Sequence, residues 1–455
     1  MTKRREFIKQ TVLGTAGIAI SGVALSARSY RSVQGANDRI NVAVIGIRGQ
    51  GGTHISNFGL LKESKNVRIT MLCDVDEQYF PDRVKNVLDR TGETPATVWD
   101  MRSVFENKDI HAVSFATPNF WHALGTVWAC QAGKHVYVEK PACHTVLEGR
   151  RMVQAARKYN VRVQCGMQNR SIRGVMDAIK FLHDGGIGEV FMAKGLCFKP
   201  RDSFGISQDS TPPESLHYDM WVGPAAWQPY NEKRTHYNWH WHWNTGGGDT
   251  ANQGPHQFDV ARWGLNKNEH PLTIYSMGNI FGIDPKECSQ ETPNTQTSVF
   301  KYKDGKILEF ETRGRYTHAE AGLEIRIGNM FYGTEGYMEI DGGNWKAYRK
   351  RENKPFAGSD VGEKPADPTF MAPPGDSGHY ANFIDAIRSG KNEDLHSDIM
   401  EGYMSSALPA LANISYKVGR MLTFDGAKEK FVKDKEADKL LTREYRKPYV
   451  VPEVV

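Results

Sequence analysis

The chain has 455 residues, 24% charged and 39% hydrophobic, a composition that excludes a disordered chain and leaves enough apolar side chain for two or three domain cores. Part of the formal net charge of +5 comes from a basic N-terminus, and no basic block with interleaved aromatics points to nucleic acid. The six cysteines (Cys73, Cys130, Cys143, Cys165, Cys197 and Cys288) include no CxxC pair and no zinc-like Cys/His spacing, so they read as buried, reduced thiols.

At the N-terminus, Arg4-Arg5 precedes Glu6-Phe7-Ile8-Lys9, a weakly apolar Gly/Ala-rich run over 11–25, and small residues at Ala24, Ser26 and Ala27. A basic head, apolar middle and small-residue end describe an export signal; the run is too short and too Gly-rich for a stable membrane span. The arginine pair resembles a twin-arginine signal, which predicts a periplasmic or otherwise exported protein. An uncleaved amphipathic anchor is the alternative. Residues 1–36 are read as signal and linker, and no later stretch is suited to span a bilayer.

Residues 39–45 are a β-branched apolar run of strand length, ending in Gly46-Ile47-Arg48-Gly49-Gln50-Gly51-Gly52. A helix is predicted from His54 to about Lys62, then a second strand over 67–73 that ends at Asp74. Strand, glycine loop, helix, strand and acid form a dinucleotide-binding pattern. Glycines admit a pyrophosphate to the backbone, the helix start offers unpaired N–H groups, and the acid accepts ribose hydroxyls. Gly46, Arg48, Gly49, Gln50, Gly51 and Asp74 are the cofactor candidates here. The loop departs from strict GxGxxG, with Arg48 where the middle glycine belongs, so a ligand-free βαβ turn is the bland alternative. A carboxylate at 74 favours NAD over NADP, although Arg48 leaves NADP possible.

The alternation continues with a strand over 112–116 leading to Thr117-Pro118-Asn119, with His122 just beyond. A helix over 124–132, a strand over 135–138 ending at Glu139-Lys140-Pro141, a helix over 147–159 and a strand over 161–166 follow. Regular β-α alternation predicts an α/β fold with a doubly wound parallel sheet, whose ligands lie beyond the carboxyl ends of the strands. Gly46, Asp74, Thr117, Glu139 and Lys140 all occupy such ends.

The glycine loop, Thr117-Pro118-Asn119 with His122, and Glu139-Lys140-Pro141 before a long helix together resemble the Gfo/Idh/MocA family, named for glucose–fructose oxidoreductase, inositol dehydrogenase and a rhizopine-catabolism protein. The resemblance covers about 37–425. It implies an NAD(P)-binding Rossmann domain over 37–166 and a C-terminal α/β domain over 167–425, followed by a tail over 426–455. The second domain would carry a large open, mostly antiparallel sheet that covers the nicotinamide and often mediates oligomerisation, hence a homo-oligomer (dimer or tetramer). It further implies that Lys140 reaches both cofactor and substrate hydroxyl, that a later histidine supplies the second catalytic group, and that Gln168, Asn169 and Arg170 flank the nicotinamide.

In the C-terminal half, a strand over 189–198 precedes Lys199 and Arg201, which read either as contacts to substrate hydroxyls or a carboxylate, or as surface charge. Trp239, Trp241 and Trp243 alternate. On a strand they would share one face, as a sugar-stacking surface or as core or oligomer contact, with His240 and His242 opposite. Those two histidines lack a third ligand nearby, and no metal site is assigned. Gly254-Pro255 suits a helix start that places His256 in the first turn, where the helix dipole favours a neutral imidazole. Such a ring can accept a proton from a sugar hydroxyl as hydride leaves the same carbon, while the Lys140 ammonium stabilises the oxygen. A capping or core histidine is the alternative. Family dehydrogenases often have an aspartate four residues before this histidine; here it is Asn252, which binds a hydroxyl but takes no proton. His256 then acts alone, or Asp249 or another group supplies charge. Residues 352–378 read as a surface loop, 399–419 as a helix interrupted at Pro409, and 428–439 as a solvated helix face. The resulting expectation is an NAD(P)-dependent oxidoreductase acting on a secondary hydroxyl of a sugar or glycoside. A redox-neutral glycosidase or lyase and a non-catalytic sugar-binding protein are the alternatives.

Overall fold

The computed structural model describes residues 38–317, 319, 325–359 and 378–455. The export-signal reading, and most of the loop read at 352–378, lie outside these residues. Six strands form the first sheet: β1 (Ile40–Ile45), β2 (Val67–Cys73), β3 (Ala96–Val98), β4 (Ala112–Phe115), β5 (His135–Val138) and β6 (Val163–Cys165). All pair in parallel, in the order β3-β2-β1-β4-β5-β6. Val42, Ala43 and Val44 of β1 are wholly buried, as expected for a parallel strand covered by helices on both faces. The strand order reverses between β1 and β4, which opens a crevice beyond their carboxyl ends.

The helix after β1 spans Gln50–Ser64, so it starts earlier than the sequence suggests and takes in part of the glycine run. Gly51 permits this: a Cβ there would stand 1.9 Å from the Gly46 carbonyl oxygen. Gly46 itself turns at φ +82, with the Ala116 backbone 2.8 Å from where its Cβ would be. These two glycines are required by the turn itself.

The second sheet holds β7 (Val190–Cys197), β8 (Thr273–Asn279), β9 (Thr295–Lys301), β10 (Ile307–Arg313), β11 (Ile327–Gly333), β12 (Gly336–Asp341), β13 (Asn344–Arg349), β14 (Ala357–Gly358), β15 (Leu422–Asp425) and β16 (Lys430–Phe431). Its order is β14-β13-β12-β11-β7-β10-β9-β8-β15-β16. Among the described residues every pairing is antiparallel except β7 with β10. In β10, Leu308, Phe310 and Thr312 alternate inward, and Phe310 packs on Phe258 of the helix Gly254–Gly264 at 4.5 Å between ring centroids. This helix therefore rides on the second sheet and brings its first turn to the crevice of the first.

Two local readings change. The helix Ile399–Val418 runs unbroken through Pro409. Its burial against both domains outweighs the local cost of proline, about 3 kcal/mol. Residues 428–439 are not one solvated helix face: they form β16 and a short helix, Lys435–Lys439, and Phe431 and Ala437 are buried. All six cysteines are buried and unpaired. No helix among the described residues is long and apolar enough to cross a membrane.

Candidate active site

A cleft of about 1510 Å³, its open mouth included, lies at the β1/β4 switch point. Gly46, Arg48, Gly49 and Gln50 line one end, with Asp74, Thr117, Pro118 and His122. The helix Gln50–Ser64 starts here with no side-chain cap and no acid in its first turn. Its N–H groups and positive dipole end are thus available to a phosphate. Gly49 differs from Gly46 and Gly51, because nothing lies within 4 Å of where its Cβ would stand. These features fit a dinucleotide.

Asp74 ends β2 and is tied to the loop: its carboxylate accepts the Ile47 N–H at 2.7 Å and the Asp76 N–H at 3.0 Å. Burial lifts its carboxyl to about 6, against the lowering effect of those N–H groups and of Arg48. At pH 7 it remains mainly a carboxylate, the form that accepts ribose hydroxyls. Asp74→Ala should weaken NAD binding by about tenfold or more and narrow the NAD-over-NADP preference. Fluorescence titration with both nucleotides measures this, and an unchanged preference would count against the role.

Glu139 is a hub beneath the loop. Its Oε1 accepts from Gln168 Nε2 (2.9 Å), His54 Nε2 (3.1 Å) and Gln50 Nε2 (3.3 Å), and its Oε2 from the Lys140 N–H (3.2 Å). Burial alone would raise this carboxyl; the His54 hydrogen bond and the charge of Lys140 outweigh it and hold it near 2. A carboxylate only accepts, so His54 Nε2 carries the hydrogen and Nδ1 faces the Ser114 hydroxyl. His122 spans the Thr117 and Pro141 carbonyls at 2.9 and 2.7 Å and ties the β4 exit to the segment carrying Lys140.

At the far end, Lys140, Lys199, Arg201, Trp239, Asn252 and His256 meet in the same cleft. Lys140 Nζ donates to the Asn252 carbonyl at 3.1 Å, joining the two domains at this point. Burial, with the charges of Lys199 and Arg201, pushes the lysine below its ordinary value. Burial and then the Lys140 charge drive His256 down to about 3, so the ring is neutral. Its Nδ1 is buried with no partner among the described residues. Arg201 grips Asp249 with two hydrogen bonds, at 2.7 and 2.8 Å.

Several expected residues lie elsewhere. Arg170 does not line the cleft: its guanidinium pairs with Asp259 at 2.8 Å and with Glu401, a buried brace between helices. Asn119 faces a second cavity. Gly51 packs within the turn and is not a lining residue. The tryptophans do not alternate along a strand: Asn238–Trp241 is a turn of 3-10 helix, which separates the three rings. His240 stacks on Trp239 at 3.6 Å and itself lines the cleft, so one face of that indole is already covered. Trp241 is buried near Arg201, and Trp243 lines the second cavity. His54 and His236 were not singled out in the sequence. Gln50 and His54 stand four apart on one helix and both reach Glu139, a spacing that carried the signal.

Comparison with known proteins bears on this geometry. A levoglucosan dehydrogenase from Pseudarthrobacter phenanthrenivorans is 35% identical over 96 residues, 21% of this chain and 25% of its own. A glycosyl hydrolase family 109 protein from Solibacter usitatus is 35% identical over 159 residues, 32% of this chain and 34% of its own. The chain thus spans about a third or less of these curated relatives. Among solved structures, the aldose–aldose oxidoreductase of Caulobacter crescentus, complexed with glycerol, superposes with a TM-score of 0.62 at 17% identity, covering 85% of this chain and 100% of that one. The WlbA dehydrogenase of Bordetella pertussis, in complex with NADH and UDP-GlcNAcA, gives 0.60 at 18%, covering 85% and 99%. These likenesses share the fold. Residues 40–167 match the model of an oxidoreductase family with an NAD-binding Rossmann fold, and 205–336 with 340–451 match that family's C-terminal α/β domain. The chain belongs to the Gfo/Idh/MocA oxidoreductase family and carries its NAD-binding domain.

Proposed function

We propose that this protein removes hydride from a secondary carbinol of a sugar or glycoside, and that Lys140 and His256 handle the hydroxyl. The observation that carries this reading is the convergence of both side chains on the cleft that begins at the glycine loop. A bound NAD would supply the hydride acceptor. The uncapped helix start would hold its pyrophosphate and Asp74 its ribose. His256 lines the cleft and is neutral, the form whose ring can accept a hydrogen bond from the substrate hydroxyl. As hydride leaves, that proton becomes acidic and moves to the ring, while the ammonium of Lys140 stabilises charge on the oxygen. Lys199 and the Arg201–Asp249 pair line the same end and would orient the remaining hydroxyls. The twin-arginine pattern supports an exported protein that carries its nucleotide with it.

A second reading is favoured by the name of the glycosyl hydrolase family 109 relatives and by Asn252 in place of an aspartate. Transient oxidation would acidify a neighbouring C–H, a glycosidic group would be eliminated, and hydride would return. The two readings separate in one experiment: nucleotide released from the denatured protein is identified, and a panel of sugars and aryl glycosides is followed for NADH absorbance and aglycone release. Net NADH supports the first; aglycone release without added cofactor supports the second. Sugar binding with neither signal, and no isotope exchange, would leave a non-catalytic binding protein and sink both.

A further inference from the structure

Behind the segment that carries Lys140 is a second cavity of about 1170 Å³, its mouth included, and it shares no lining residue with the nucleotide cleft. Its walls come from Pro141–Thr145, from residues before Asn252, from the helix around Pro409, and from residues 439–444. The lining contains Arg443, Lys417, Lys439 and His144 against a single acid, the exposed Glu444.

Arg443 is the anomaly. Its Nη2 donates to the Asn244 carbonyl at 2.8 Å and to the Asn244 side chain at 3.0 Å, but Nε and Nη1 are buried with no acceptor among the described residues. The carboxylate acting on it from farther off, Glu148, is committed elsewhere. It accepts the N–H groups of His144 and Thr145 at 2.9 and 3.0 Å and the Tyr445 hydroxyl at 3.2 Å. A buried guanidinium with open donors is costly unless something accepts from them. Lys417 stands at the mouth with its ammonium 4.2 Å from the Trp243 ring centroid. Burial first, and then the charges of Arg443 and Lys417, push His144 well below its usual value. On the acceptor side, Asn119 Oδ1 is buried there without a donor. The site thus offers donors and one acceptor beside an indole wall.

We propose that this cavity binds a small oxyanion-bearing molecule (a carboxylate, phosphate or sulfate), which pairs with the Arg443 guanidinium that lines it and lacks acceptors at two of its nitrogens, with Lys417 closing from the mouth. Planar guanidinium groups suit all three oxyanions. Trp243 and Asn119 suit a ligand with a non-ionic body as well as a charged head.

The test uses the full chain with its nucleotide bound, titrated calorimetrically with phosphate, sulfate and glucuronate at ionic strength held constant with chloride. At least one probe should bind saturably. Arg443→Met should weaken it by about tenfold or more, and Lys417→Met by a smaller factor. The cleft variant Lys199→Met should leave it intact. Preference for phosphate or sulfate identifies a tetrahedral anion, and preference for glucuronate a sugar acid. If Arg443→Met does not fold, the exposed Lys417 carries the test alone. No saturable binding of any probe, equal binding in the Lys417 variant, or loss in the Lys199 variant overturns the proposal.

Discussion

Lys140→Ala should lower turnover by about 10²–10⁴-fold while the protein still binds NAD. The side chain is anchored at 3.1 Å to the Asn252 carbonyl, on the segment leading to His256. A single hydrogen bond holds its ammonium where a substrate oxygen would develop charge. The pyrophosphate and ribose would be held by the uncapped helix start and by Asp74, so the loss should fall chiefly on the chemical step. Rapid mixing of the NAD-loaded protein with substrate, read at the reduced-nicotinamide band, isolates that step. The pH profile gives an independent reading. The ammonium form is the stabilising one, and burial lowers its pKa, so activity should fade as pH rises through a value below the ordinary 10.5 of lysine. His256→Ala should cost a similar factor, and the double variant little more than either, because the two act on one proton and one oxygen. Rates within two- to threefold of the parent in both single variants would remove the mechanism.

Stability should collapse between about pH 6.5 and pH 4. His135, His270 and His379 are held near 4, and His240 and His256 near 3, in every case chiefly by burial. Each folded pKa lies below the unfolded 6.5, so the unfolded chain binds more protons throughout that interval. Stability is whole above 6.5 and is lost as pH falls toward the folded values. Asp74 opposes this: with its carboxyl near 6, the folded state keeps a proton that the unfolded chain releases. Each net proton changes stability by about 1.4 kcal/mol per pH unit, so several together erode a typical margin of roughly 5–15 kcal/mol within two units. Thermal melts at fixed ionic strength from pH 7.5 to 4.5 measure it, and His379→Gln should flatten the slope by about one proton. A melting temperature flat across that range would refute the assignment of neutral, buried rings.

β3 (Ala96–Val98), largely exposed at the edge of the sheet, left no apolar run to read, whereas the other five strands of the nucleotide domain were legible as short apolar runs, a feature that acts locally. Asp74, Glu139 and Lys140 fell at strand ends for the same reason. The aromatic run at Asn238–Trp241 was not legible as a helical turn. Its shape is fixed by the chain folding back on itself a few residues later, where a Cβ at Gly246 would stand 2.3 Å from the His240 carbonyl oxygen, a close approach that the period-two pattern of the tryptophans does not show. Arg170 misled for a related reason. Its adjacency to a strand end suggests the cleft, whereas its partner Asp259 arrives from a helix far along the chain. Only the tertiary fold decides which way such an arginine turns.

That Asn252 holds the lysine through its main-chain oxygen has an evolutionary consequence. A backbone anchor is indifferent to the residue that supplies it, so position 252 can exchange carboxylate for amide without releasing the ammonium. The proton-handling groups at that position can therefore change while the placement of the ammonium is kept.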